Sequence, residues 1–80
     1  MLLKEAIEKN MILPGQTIRV KGSTVYFVGK VTSVTQCEVF GGYDVNLSSC
    51  IDETGSKYLG CKFKTGVTNY KLLRINGRFA

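Results

Sequence analysis

The chain has 80 residues, 44% of them hydrophobic, and a formal net charge of +5. We expect one small domain spanning residues 1–80, because a chain of this length supports only one thin core. The apolar content argues against disorder, and no apolar run approaches the ~20 residues of a membrane-spanning helix. The charged pairs Lys4-Glu5 and Glu8-Lys9 interrupt the N-terminus where a signal peptide would be apolar. The composition therefore predicts a complete cytoplasmic protein without membrane contact.

The chain contains three cysteines and no histidine. A structural zinc site needs four cysteine or histidine ligands, so we expect no metal. Cys37, Cys50 and Cys61 are then buried, reduced thiols. Without histidine no Ser-His or Cys-His catalytic pair is possible, and the adjacent Asp52 and Glu53 fall in a glycine-containing turn where acids are common. No phosphate-binding glycine motif is present, so we expect neither an enzyme nor a bound cofactor.

Basic residues are concentrated in the last third of the chain. Residues 1–55 carry five basic and six acidic side chains, whereas residues 56–80 carry six basic side chains and no acid. This asymmetry points to a polyanion or an acidic protein as the partner. The alternative is that a small protein keeps a modest net charge for solubility.

The chain begins with a predicted helix over residues 1–10, where Leu3 and Ile7 lie on one apolar stripe. Asn10 and the following Pro14-Gly15 end it. In QTIRVKG the period changes to two, with Ile18 and Val20 on one face and the intervening polar residues on the other. The next run, TVYFVGKVTSVTQCEVF, is a long strand in which Gly29 predicts a bulge or a bend.

A hairpin follows, and its loop length decides the register. A two-residue loop places polar groups beside Val45 and Leu47, whereas a three-residue loop, Phe40-Gly41-Gly42, gathers the apolar groups on one face. The second arrangement predicts four cross-strand pairs: Val39 with Tyr43, Cys37 with Val45, Thr35 with Leu47 and Val31 with Ile51.

After the turn DETGS we expect Leu47 to pair with Phe63 and Ile51 with Leu59, so that odd-numbered residues face the core. The final run, VTNYKLLRING, is less regular and closes the structure. The predicted fold is mainly β: one short N-terminal helix and five antiparallel strands over residues 16–76. An SH3-like barrel is the first choice because closure removes edges, and a barrel of the OB type or a strongly twisted sheet carrying the helix are the alternatives.

The segment PGQTIRVKGSTVYFVGKVTSV, residues 14–34, resembles the first hairpin of SH3-like modules of the KOW and Tudor type. The shared features are a glycine, a short strand, a turn and a second glycine in the next strand. The resemblance implies an SH3-like barrel, and KOW-type modules often bind RNA or RNA polymerase. It assigns a function to no particular residue.

The alternation predicts a binding face on the outward side of the last strands. Asn46 is expected beside Lys64 and Ser48 beside Lys62, with the ring of Tyr58 on the same face. Cations that track phosphates and rings that stack on bases are typical of single-stranded nucleic-acid binders. The predicted binding residues are Asn46, Lys57, Tyr58, Lys62, Lys64, Lys71, Arg74 and Arg78. The structural alternative is that lysines on exposed strands prevent edge-to-edge pairing.

Two functions fit these features. The first is a small, basic, non-enzymatic protein that contacts nucleic acid or a nucleic-acid-processing complex. The second is a regulator or inhibitor of the kind that phages encode, which binds an acidic surface of a host protein without touching nucleic acid. In either case we expect a monomer or a homodimer paired through a sheet edge.

Overall fold

The computed structural model describes all 80 residues as one helix and six strands. The helix, α1, spans Leu3–Glu8. The strands are β1 (Thr17–Lys21), β2 (Tyr26–Gln36), β3 (Tyr43–Asp52), β4 (Lys57–Lys64), β5 (Lys71–Ile75) and β6 (Arg78–Phe79). The prediction of a mainly β chain with one short N-terminal helix is confirmed. The sixth strand was not predicted, because a strand of two residues is too short to show an alternation of apolar and polar side chains.

All six strands belong to one antiparallel sheet in the order β4-β3-β2-β1-β5-β6. The outer strands β4 and β6 do not pair with each other, so the sheet is open and twisted. Of the predicted arrangements, the twisted sheet is therefore the one adopted, and no barrel closes. Strand β1 lies in the interior of the sheet. One of its neighbours, β2, follows it directly in sequence, whereas the other, β5, is about 50 residues away.

Helix α1 packs on this sheet through its apolar side. Leu3 and Ala6 are fully buried, and the backbone N–H of Leu3 donates to the carbonyl of Tyr70 at 2.8 Å. Asn10 has a φ of 58°, the left-handed conformation with which helices commonly end. An isolated helix of six residues is unstable in water, so docking on the sheet keeps it folded.

One apolar cluster forms the core between the sheet and α1. Its eleven buried members come from the helix, the loop after it and strands β1 to β5: Leu3, Ala6, Ile12, Ile18, Val20, Val31, Val45, Leu47, Cys50, Phe63 and Leu72. Phe63 anchors it, with ring centroids 5.4 Å from Phe27 and 5.0 Å from Tyr70. The expected burial of Phe63 is thus confirmed.

The predicted register between β2 and β3 is wrong. Val31 lies opposite Leu47 and Val34 opposite Val45, because the loop spans six residues, 37–42, and not three. The N–H of Cys37 donates to the carbonyl of Gly42 at 3.0 Å, which closes this longer loop. Pairing by apolar parity alone overlooked it, because a register shift between Val31 and Ser33 compensates for the odd change in loop length and returns Val31 to the face of Leu47.

A bulge opposite Gly29 changes which side chains of β3 face the core. Ser49 and Cys50 together oppose Gly29, and Ser49 has a φ of 52°. Beyond this point the alternation inverts, so Cys50 is fully buried and Ile51 is 40% exposed. The prediction that Gly29 marks a bulge is confirmed. The alternation of odd-numbered core residues, which places Ile51 inward and the even-numbered Cys50 outward, is wrong beyond the bulge, and Cys50 is buried as expected of a free thiol. A Cβ on Gly29 would lie 3.1 Å from the Leu47 side chain, which favours glycine there.

The register between β3 and β4 differs from the predicted one by two residues. Val45 lies opposite Phe63, and Leu47 opposite Cys61. A displacement by two leaves Phe63 on the core face but moves every neighbour. Leu59, predicted to be in the core, is fully exposed, because it lies opposite the bulged Ser49 on an edge strand.

Candidate functional site

The predicted lysine face on β3 and β4 is arranged differently from expectation. Lys64 lies opposite Asp44 and not beside Asn46, and its Nζ is 3.2 Å from each carboxylate oxygen. The positive charge of Lys64 is therefore balanced within the protein. The pair was not expected, because the predicted register placed Asn46 beside Lys64, and a change of two residues places Asp44 there instead.

Other members of the predicted face also have partners of their own. Asn46 lies opposite Lys62, and its Nδ2 donates to Ser33 Oγ at 2.9 Å. Ser48 was predicted to lie beside Lys62, but it lies opposite Gly60. Lys62 is exposed on the edge strand β4 and forms no ion pair.

Tyr58 does not share a face with Lys62. It lies opposite the buried Cys50, and its ring centroid is 6.2 Å from that of Phe27 on the core side of the sheet. Its hydroxyl donates to Asp52 Oδ2 at 2.7 Å, which raises the pKa of Tyr58. The hydroxyl of Thr54, followed by that of Tyr58, lowers the pKa of Asp52. Tyr58 is thus fixed to the β3–β4 turn and does not serve as a ring on the lysine face.

The lysines of β4 have a structural explanation. We call Lys57, Lys62 and Lys64 the β4 lysines. Strand β4 is an edge of the sheet, with one side unpaired. Lysines on such a strand oppose its pairing with a second chain, so their presence requires no ligand.

A denser group of cations lies across β1 and β5. Arg19 is paired directly with Arg74, and Lys21 with Lys71. We call these four residues the cationic face. Paired residues of neighbouring strands have Cβ atoms about 4.5–5.5 Å apart and point to the same side. Two like-charged pairs therefore lie side by side, on the side of β1 opposite the buried Ile18 and Val20.

Neither like-charged pair lies on an unpaired edge. One row across the sheet runs Leu2, Lys71, Lys21, Tyr26, and the neighbouring row runs Phe79, Arg74, Arg19, Val28. Every cation of the cationic face thus has a backbone partner on both sides. Edge protection does not explain these residues, and like charges directly opposite each other destabilise a sheet.

No carboxylate forms an ion pair with the cationic face. Lys64 with Asp44 forms the one ion pair of the protein. Asp52 and Glu53 border a shallow groove together with Arg19 and Tyr26. The carboxylate of Asp52 already accepts hydrogen bonds from the β3–β4 turn. The acids that border the face thus lie on its β3 side.

Two aromatic rings flank the cationic face. The Tyr26 ring centroid is 5.5 Å from the Arg19 guanidinium carbon and 5.2 Å from Lys21 Nζ. At the opposite side the Arg74 guanidinium carbon lies 4.2 Å over the Phe79 ring, and its Nη1 donates to the carbonyl of Gly77 at 3.3 Å. These contacts orient the guanidinium of Arg74. Phe79 is 82% exposed although it is a large apolar residue.

Of the predicted binding residues, Lys71 and Arg74 belong to the cationic face. Arg78 is exposed on β6 beside Phe79, opposite Ile75. The sequence analysis did not include Arg19, Lys21, Tyr26 or Phe79. The alternation in QTIRVKG already placed Arg19 and Lys21 on the polar side of β1. The missing information was that β1 pairs with β5, which is about 50 residues away in sequence.

The structure offers no metal centre. No group of three or more cysteine, aspartate and glutamate side chains is close enough to hold an ion. All three cysteines are free, and burial, followed by the neighbouring thiol of Cys61, raises the pKa of Cys50 to about 12. Its thiol is thus protonated and unreactive at neutral pH. The short α1 is the one helix present, and it is far from the length that crosses a membrane.

Comparison of this chain with protein-family models, with curated proteins and with solved structures finds no match. The resemblance of residues 14–34 to KOW and Tudor modules accordingly stays a prediction, and the functional argument depends on the site itself.

Proposed function

We propose that this protein binds nucleic acid through the cationic face and acts as a binding protein without catalysis. The observation that carries the proposal is the direct opposition of Arg19 to Arg74 and of Lys21 to Lys71, with no acid in contact. This arrangement costs stability, and a polyanion that lies across the two rows would remove the repulsion. Nucleic acid supplies closely spaced phosphates, which a pair of arginines and a pair of lysines suit well.

The geometry also supports the choice of this face over the β4 lysines. A phosphate that approached Lys64 would compete with Asp44, which already holds it at 3.2 Å. No cation of the cationic face is held in an ion pair in this way. All three arginines of the chain lie on β1, β5 and β6, so the guanidinium groups concentrate at the same end of the sheet.

A matched pair of charge variants tests the proposal. Arg19→Glu with Lys71→Glu removes one member of each like-charged pair, and Lys9→Glu with Lys62→Glu makes the same charge change at exposed lysines outside the two rows. Both double variants lower the net charge from +5 to +1. We expect the first to weaken binding of labelled DNA and RNA about tenfold or more at low salt, and the second to have a much smaller effect. Binding is measured by fluorescence anisotropy.

The salt dependence of the parent protein provides a second measurement. Four phosphate contacts predict that the logarithm of the association constant falls with the logarithm of salt concentration with a slope of about −3 for a single strand. The cationic-face variant should show about half that slope. Absence of binding to any DNA or RNA at low salt would refute the proposal, as would equal losses in both variants.

A second candidate is a protein partner with an acidic surface, the role of a small regulator or inhibitor. It is favoured by one observation: Ile51, Leu59 and Lys57 line a shallow groove beside the unpaired edge of β4. Here apolar contact and positive charge occur together. This candidate predicts a stoichiometric complex that survives nuclease and is lost on Leu59→Glu, whereas the nucleic-acid proposal predicts no effect of that substitution on oligonucleotide binding.

A further inference from the structure

We infer that the cationic face takes single-stranded nucleic acid, with one base stacked on Tyr26 and another on Phe79. This inference rests on the proposed function and names the substrate class of the same face. Its basis is the position of the two rings, which lie at opposite sides of the four cations, in adjacent rows of the sheet. Phosphates would then be held between two stacking positions.

The spacing across the sheet fits an extended strand. Tyr26 on β2 and Phe79 on β6 are separated by β1 and β5, hence by three inter-strand distances of about 4.8 Å each. A path of about 14 Å or more thus runs from one ring to the other over Lys21, Lys71, Arg19 and Arg74. Bases at the two ends of this path are not adjacent nucleotides, so at least one nucleotide between them would place its phosphates over the cations.

A duplex fits the same surface poorly. Its bases are paired and stacked, so their faces are closed to rings that lie on the surface of a sheet. The cationic face also lacks a protruding helix that would enter a major groove, because α1 is packed on the core. A single strand exposes both its phosphates and its base faces, and aromatic rings stack on bases with little sequence preference.

Phe79 is the more informative of the two rings. It is 82% exposed, and the one cation that contacts it, Arg74, is held by Gly77 as well. The ring therefore has a large uncovered surface beside an oriented guanidinium, which itself stacks on nucleobases. Tyr26 is half-buried and contacts two cations, so it offers less ring surface but more local charge.

The test compares four probes: labelled dT12, rU12, a 12-base-pair DNA duplex and a 12-unit abasic oligonucleotide that carries phosphates without bases. We expect dT12 or rU12 to bind about 5-fold to 100-fold more tightly than the abasic probe, the range for one or more stacked bases. Tyr26→Leu with Phe79→Leu should abolish this difference and leave the affinity for the abasic probe unchanged.

Matched controls come from the other aromatic residues of the surface. Phe40 is 57% exposed and has Lys64 Nζ 5.6 Å from its ring centroid, so Phe40→Leu removes a similar cation–ring contact away from the cationic face. Tyr58→Leu removes a tyrosine that is 42% exposed and contacts no cation through its ring. Neither substitution should change the preference for dT12 or rU12 over the abasic probe.

The outcomes separate this inference from the proposed function. Equal affinity for the abasic and base-containing probes, or tighter binding of the duplex, overturns the single-strand inference while the proposed function stands. A base preference that survives the loss of Tyr26 and Phe79 also overturns it. Failure of all four probes to bind at low salt overturns both.

Discussion

The protein carries two groups of exposed cations, and they differ in what surrounds them. The β4 lysines lie along an unpaired edge, and Lys64 has its own carboxylate at 3.2 Å. The cationic face lies on paired strands and opposes arginine to arginine and lysine to lysine. The first group stabilises or protects the fold, whereas the second costs stability. A repulsion between like charges that no ion pair offsets is the stronger indication of a binding role.

The two groups of cations also differ in how their members are distributed along the sequence. The β4 lysines come from one continuous segment and are conspicuous in the sequence. The cationic face combines two residues from β1 with two from β5, and each strand alone has an ordinary alternation of apolar and charged residues. Charge density at a site is therefore set by strand pairing, and a sequence-local cluster of lysines does not locate it.

The largest expected effect is a loss of stability on truncation of a buried residue of β4, which truncation of an exposed residue of the same strand should not cause. Phe63→Ala should lower the free energy of unfolding by about 3–5 kcal/mol, because it empties the centre of the aromatic cluster. Leu59→Ala on the same strand should change it by less than about 0.5 kcal/mol, since Leu59 is fully exposed. Urea denaturation measures both. Similar losses in the two variants would mean that the register of β4 is wrong, and with it the position of the β4 lysines.

A second prediction concerns the core side beneath the β4 lysines. Burial raises the pKa of Cys50 from 9.0 to about 12, so its thiol stays protonated in the folded protein while the unfolded chain ionises. Its contribution to stability is complete below pH 9.0 and is lost as the pH rises toward 12. The loss should reach at most about 1.4 kcal/mol per pH unit.

Cys50→Ala isolates that contribution. The variant is less stable at neutral pH because it leaves a small cavity, but its stability should fall less steeply between pH 9 and 10.5 than that of the parent. Parallel curves for the two proteins would show that Cys50 does not face the core. Because Tyr58 lies opposite Cys50, Tyr58 would then be on the same side of the sheet as Lys62 and Lys64, and its ring could belong to a binding surface there.

The smallest expected effects are changes in the free energy of unfolding caused by single charge substitutions, and their sign distinguishes the two groups of cations. Arg19→Glu converts an arginine pair into an ion pair with Arg74 and should raise the free energy of unfolding by about 0.2–1 kcal/mol. Lys64→Gln removes the ion pair with Asp44 and should lower it by a similar or smaller amount. Thermal unfolding at low ionic strength, where charge effects are largest, compares the two. A loss of stability in Arg19→Glu would contradict the stated cost of the cationic face.

The sequence predicted the local elements well and the non-local pairing poorly. The helix, the left-handed Asn10 that follows it, the period-two strands and the bulge at Gly29 all depend on neighbouring residues, and all are present. The loop of residues 37–42 and the inversion at Ser49 were missed, because several registers satisfy the same apolar pattern. Once those registers changed, Leu59 moved to the surface and Cys50 into the core.

The candidate site was predicted in part for the same reason. Lys71 and Arg74 were identified from the acid-free final third of the sequence. Arg19 and Lys21 were recognised as outward residues of β1 but not as members of a site, since nothing local indicates that β1 and β5 are neighbours. Phe79 belongs to a two-residue strand that follows the Asn76-Gly77 turn, and so short a segment gives no periodic signal.

The most direct test of the account maps the contact surface by NMR. Backbone and arginine side-chain resonances are followed while dT12 is added at low salt. We predict that the shifts concentrate at Arg19, Lys21, Tyr26, Lys71, Arg74 and Phe79, and that Asn46, Lys62 and Lys64 are unaffected. Shifts concentrated on β3 and β4, with the β1–β5 rows unchanged, would contradict the central claim that the opposed cations form the nucleic-acid contact.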